Sequence, residues 1–162
     1  MDLLDRLLGH DAWTTGELLK ICAPLEEEVI DRGFDIGHRS IRQTFCHLIH
    51  NMEVWTTMMA GVPQDVNEDD TIPGVMRRLE IAEARLREVS HRVSEAGAWD
   101  ELWYDPLEEP PRHKSYGASI AHLITHSMHH RAQVLYMLRL SGVANLPEGD
   151  VFTWEAAHTD LP

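Results

Sequence analysis

Apolar positions recur every three to four residues along four stretches of this chain, which predicts four long amphipathic helices rather than strands. The first spans about 2–24, with Leu3, Leu4, Leu7, Leu8, Leu18 and Ile21 on a broad apolar side and Pro24 as its stop. The second spans 40–60. It opens with Ser40 and Gln43 at capping-box spacing, carries a stripe of Ile41, Phe45, Leu48, Met52, Trp55 and Met59, and ends at Gly61. The third spans 72–96, with Thr71 as N-cap, Pro73 in the first turn, Gly97 beyond its end, and Val75, Leu79, Ala82, Leu86 and Val93 as its apolar face. The fourth, 116–141, places Ile120, Leu123, Ile124, Val134, Leu135 and Leu138 on one side and stops at Gly142.

The segment 98–114, with Trp99, Trp103 and Tyr104, reads as an ordered crossover loop or a short hairpin between the third and fourth helices. The tail, 143–162, contains Phe152 and Trp154 and is expected to pack across the helices. Together these elements predict one all-α domain over 1–162, a four-helix bundle.

Composition narrows the functional classes. A formal charge of −13 opposes binding to nucleic acid or anionic lipid, both of which attract basic surfaces. No apolar run approaches the roughly 20 residues that span a bilayer. Cys22 and Cys46 cannot make a disulfide framework. The acidic opening Met-Asp-Leu-Leu-Asp-Arg is unlike a secretory leader, so a cytoplasmic location is expected.

Histidine is the unusual entry: the chain has eleven, four of them at 122, 126, 129 and 130. At about 100° per residue, His47 falls on the flank of the second helix's apolar stripe, beside Thr44, Asn51 and Met58. His126 and His130 flank the fourth helix's stripe, one turn apart, while His50, His122 and His129 point further out. An i, i+4 histidine pair lets two imidazoles reach one ion, and a third from a facing helix completes a three-nitrogen site with a position left open. The competing reading is a set of hydrogen-bonded core histidines. Imidazole suits zinc or nickel, with iron or copper as alternatives.

Other candidates carry less. Glu88 with His91, and Glu155 with His158, match the Glu-x-x-His spacing of di-iron bundles but have no partner glutamates on the other helices. Cys46 falls on the outer side of its helix with no activating neighbour. Arg131 lies within an apolar stripe, where it would pair with a buried acid or line the site.

The run from Ser40 through His47 to Trp55, and above all His122-Leu-Ile-Thr-His126-Ser-Met-His129-His130-Arg131-Ala-Gln133, resembles the DinB-like family. The second segment matches that family's His-x-x-x-His-Arg-Gly-Gln motif, departing only at Ala132, where glycine is usual. Trp13 and Leu146-Pro-Glu-Gly-Asp150 fit the same resemblance, which extends over essentially the whole chain. It implies an up-down-down-up four-helix bundle, commonly a homodimer, with a divalent metal on the histidines matching His47, His126 and His130. It also implies chemistry with low-molecular-weight thiols, as in the family's isomerases and S-transferases.

The function expected is a metal-dependent enzyme that activates a small thiol toward a small-molecule substrate. The alternatives are a metal-dependent hydrolase and a non-catalytic metal-binding stress-response module closed over its metal by the tail. The catalytic acid or base is unassigned; His50, His122 and His129 are the titratable groups nearby.

Overall fold

The computed structural model describes residues 1–63 and 68–159; the expected tail therefore loses 160–162, which lie outside the described residues. Among the described residues the chain is mostly helical: α1 (Leu3–Cys22), α2 (Glu27–Ile30), α3 (Ile41–Ala60), α4 (Ile72–Ala96), α5 (Tyr116–Leu140) and α6 (Val151–His158). One antiparallel hairpin, β1 (Leu102–Asp105) with β2 (Arg112–Ser115), fills the crossover before α5. No helix is long and apolar enough to cross a membrane.

The helix ends follow the expected caps, with one change. Thr71 accepts from the Gly74 amide, and Gly61 and Gly97 close their helices with left-handed φ of +68° and +64°. Ser40 accepts from the Gln43 amide, but the Ser40 amide donates to the His38 carbonyl at 2.9 Å, leaving no role there for the Gln43 side chain. A reciprocal capping box forms instead at α1, between Asp2 and Asp5.

Each of α1 and α3 packs against both α4 and α5. Two apolar clusters fill the interior. One joins Leu18, Leu19 and Cys22 of α1 to Phe45, Leu48 and Ile49 of α3, Val75 and Leu79 of α4, and Met137 and Leu138 of α5. The other joins Leu8 to Met52 and Met59, to Leu86, Val89 and Val93, and to Ile120, Leu123 and Trp103. Each fully buried side chain of this kind contributes about 1.5–3 kcal/mol, offset in large part by the entropy of ordering the chain. Leu3 is the exception to the expected α1 face, 71% exposed, because it lies at the helix's first position, beyond the packed region.

Two buried ion pairs tie the helices. Arg78 of α4 makes two 2.9 Å hydrogen bonds to the Glu53 carboxylate of α3. Arg131 of α5 pairs with Asp11 of α1, both almost fully buried, and also donates to Thr15 Oγ1 at 3.2 Å. Burial drives the Asp11 carboxyl above its usual range, and the adjacent Arg131 guanidinium opposes that rise. Arg131 is thus paired with a buried acid.

The hairpin docks through Trp103, whose indole donates to Ser119 Oγ at 2.9 Å, and through Lys114, which Asp105 of the same hairpin holds at 2.7 Å over the Trp55 ring of α3. The tail is divided. Trp154 is buried against Gly9 of α1, where an added Cβ would overlap the indole, while Phe152 is 80% exposed. Phe152 therefore does not pack as expected: on a helix this short, a face that seats Trp154 turns its neighbour outward.

Candidate metal centre

Where the two apolar clusters meet, α3 and α5 bring three imidazoles together. His126 Nε2 lies 3.2 Å from His47 Nε2 and 3.1 Å from His130 Nε2. A proton on His126 Nε2 serves only one of those two neighbours, and the Asn51 amide is the donor within reach of the other. A tetrahedral ion bound at 2.0–2.1 Å holds its ligand nitrogens about 3.3–3.4 Å apart. The two separations at His126 are near that spacing.

Neighbouring amides set which nitrogens are bare. His130 Nδ1 donates to Gln133 Oε1 at 2.9 Å, which leaves Nε2 of the neutral ring as the acceptor. The Gln133 amide nitrogen in turn donates to His129 Nε2 at 2.8 Å. Asn51, one turn after His47, directs its amide nitrogen at His47 Nε2 (3.0 Å) and at His126 Nε2 (3.4 Å). These contacts were not foreseen from sequence, although Asn51 shares His47's helical flank and Gln133 belongs to the motif.

Burial disfavours protonation of all three rings. It pushes His47 down to about 4, helped by His38 and His130, and His126 to about 4, helped by His130 and His47. His130 is also lowered by burial, opposed by the hydrogen bond it donates to Gln133. Neutral imidazole is the form that ligates a metal.

A fourth histidine, absent from the sequence-based set, joins the cluster. His38 stacks on His47 with ring centroids 3.6 Å apart and 25° between planes. His38, His47 and His130 each offer a ring nitrogen within 4.8 Å of the others, forming a second triad that shares two members with the first. A three-histidine group here could hold a metal ion. His38 sits on a loop, where helical periodicity carries no signal.

The outward histidines have other neighbours. His122 stacks on Trp55 at 4.9 Å and lies 5.2 Å from the His126 ring, beside a cavity of about 370 Å³ lined by Trp55, Lys114, Ser115, Ser119 and His122. Lys114 Nζ sits 4.0 Å above the Trp55 ring. His50 and His129 are exposed. The Glu-x-x-His pairs are engaged elsewhere: His91 faces Asp5 at 3.2 Å, Glu155 pairs with Arg6 at 2.9 Å, and His158 Nδ1 contacts the Trp154 carbonyl at 2.7 Å. Burial pushes both cysteine thiols up to about 12, consistent with inert side chains.

No curated protein matches the chain. The sequence model of the DinB family matches residues 1–158, nearly the full length and including every histidine of the cluster. The chain belongs to the DinB family.

Proposed function

We propose that this protein is a metal-dependent enzyme that activates a small thiol for transfer to an electrophilic small molecule. His47, His126 and His130 are its metal ligands, and the fourth coordination position is the one the thiol takes. The observation that carries this reading is the convergence of three helix-borne Nε2 atoms with separations of 3.1 and 3.2 Å among the His126 contacts. A divalent ion there would supply Lewis acidity, lowering the pKa of a thiol or water and favouring its anion. Zinc or nickel suits an all-imidazole set, with iron or copper as alternatives.

The surrounding residues have distinct tasks. Gln133 holds His130 in the tautomer that presents Nε2, and Asn51 fills the mouth of the cluster with an amide that can turn toward an incoming anion. Trp55, Lys114 and His122 line the adjacent cavity, where the acceptor would bind, with the Lys114 ammonium over the Trp55 ring. The tail gives little support to a closed binding module, since Trp154 seats on α1 at Gly9 rather than over the histidines.

The scaffold belongs to the same reading: an up-down-down-up four-helix bundle of α1, α3, α4 and α5. Glu53–Arg78, Thr57–Arg85 and Met59–Arg92 contacts climb α3 and α4 in the same direction. Asp5 meets His91 far along α4, the opposite sense. His47 meets His130 while Trp55 meets His122, so α3 and α5 run oppositely. The bundle acts in the cytoplasm as a homodimer.

The test is a panel of low-molecular-weight thiols with chlorinated aromatic or epoxide acceptors, using metal-loaded protein and its His126→Ala variant. Thiol consumption by the parent and none by the variant supports the reading. Hydrolysis of an ester or amide with no thiol transfer reassigns the protein to a hydrolase, and inactivity in both arms with metal bound reassigns it to a binding module.

A further inference from the structure

We propose that His38 is a displaceable fourth ligand, closing the resting coordination sphere around His47, His126 and His130 and yielding its place to the incoming thiol. This rests on the metal reading above.

Position is the first argument. The His38 ring stacks on His47 with 25° between planes and lies 5.3 Å from the His130 ring. Its ring nitrogen and those of His47 and His130 lie within 4.8 Å of one another, and turning the His38 side chain off the His47 face would bring its lone pair toward an ion they share.

The loop that carries it is built for that position. Phe34 is buried at its base, and its amide donates to the Arg39 carbonyl at 2.6 Å, closing the turn. The Arg39 amide donates to Ile36 O at 2.9 Å. The residues on either side of His38, Gly37 and Arg39, both have left-handed φ, +51° and +71°. For an arginine that conformation is strained, and such strain persists only where the surroundings hold it. A Cβ at Gly37 would overlap Gln133 Oε1, the atom that orients His130. The turn and the metal cluster are therefore packed as one unit.

Mounting separates His38 from the other three. His47, His126 and His130 project from long helices and each is followed by a buried residue (Leu48, Ser127 and Arg131), whereas His38 rides on a loop, where its ring can swing aside by side-chain rotation while the turn and the core stay packed.

Cobalt(II) provides the test, with the parent protein and its His38→Phe, His38→Ala and His126→Ala variants checked for helix content. Phenylalanine keeps a ring against His47 but has no lone pair, so it separates ligation from stacking. Both His38 variants should hold cobalt at least about tenfold more weakly, the lower end of what partners of a metal site are worth. Their visible absorption bands should shift, and 2-mercaptoethanol should saturate them at lower concentration than the parent. X-ray absorption of the zinc-loaded parent should show four nitrogen neighbours, a result that needs no variant. Unchanged affinity, spectrum and thiol titration in His38→Phe would overturn the proposal while leaving the three-histidine reading intact. Cobalt kept by His126→Ala but lost by His38→Ala would overturn both, making His38 one of the permanent three.

Discussion

Gln133 Oε1 accepts a hydrogen bond from His130 Nδ1 at 2.9 Å, and that contact decides which nitrogen of His130 faces the other histidines. The same amide reaches His129 through its nitrogen, so Gln133 spans one buried and one exposed imidazole on α5. Removing it, as in Gln133→Ala, frees the ring to adopt the other tautomer. Metal affinity should then fall by roughly 10–100-fold while the metal-free protein keeps its stability within about 1 kcal/mol. Competition against a chelator of known affinity, with thermal melts alongside, measures both.

Gly37 gives a sharper comparison, because it can be set against Gly61. Both have left-handed φ, so alanine at either position costs roughly 1–2 kcal/mol of stability. An added Cβ at Gly61 meets open space, whereas at Gly37 it overlaps Gln133 Oε1. Gly37→Ala should therefore lower both melting temperature and metal affinity, and Gly61→Ala the melting temperature alone. Equal metal affinity in the two variants would show that the loop and the cluster are not coupled.

The Arg131–Asp11 pair is a structural tie, so its prediction concerns folding. Asp11→Ala leaves a buried guanidinium without its acid and should destabilise by about 3–5 kcal/mol in denaturant unfolding. Replacing both residues with apolar ones, Asp11→Leu with Arg131→Met, should recover most of that loss. If the double variant were no better than the single, the pair would have a role beyond compensating charge.

How much of this was legible beforehand differs by element. The third and fourth predicted helices match α4 and α5 within a residue, because Thr71, Gly97 and the 3.6-residue stripe all act locally. The convergence of His47 with His126 and His130 was legible for the same reason: wheel position depends only on spacing. Three features were not. His38 approaches through a turn whose left-handed φ values leave no periodic trace. A buried acid was one of two expected settings for Arg131, but that the acid is Asp11, 120 residues away, only packing reveals. Helices α2 and α6, of four and eight residues, are too short for a periodic signal.

Glu83 gives a pH-dependent prediction independent of the metal. It lines a cavity of about 650 Å³ between α1, α4 and α6, with one carboxylate oxygen buried and without a hydrogen-bond partner. Burial, reinforced by Asp11, pushes its pKa up to about 8. The folded state thus holds this proton more tightly than the unfolded chain, whose glutamate titrates near 4.5. Stability from this group is lost as pH rises from about 4.5 to about 8 and then levels off. Glu83→Gln should remove that slope and raise the melting temperature at pH 8 relative to the parent. Melting curves across that range check it, and an unchanged slope would place the titration elsewhere.

The central claim is that His47, His126 and His130 hold one divalent ion. Elemental analysis tests it most directly, on protein purified without chelator or metal-affinity tag, beside the His126→Ala variant prepared identically. Close to one equivalent of zinc, nickel or another divalent metal per chain in the parent, and little in the folded variant, is the predicted result. A parent protein that neither retains such a metal nor takes one up on dialysis, or a variant that retains as much as the parent, would contradict it.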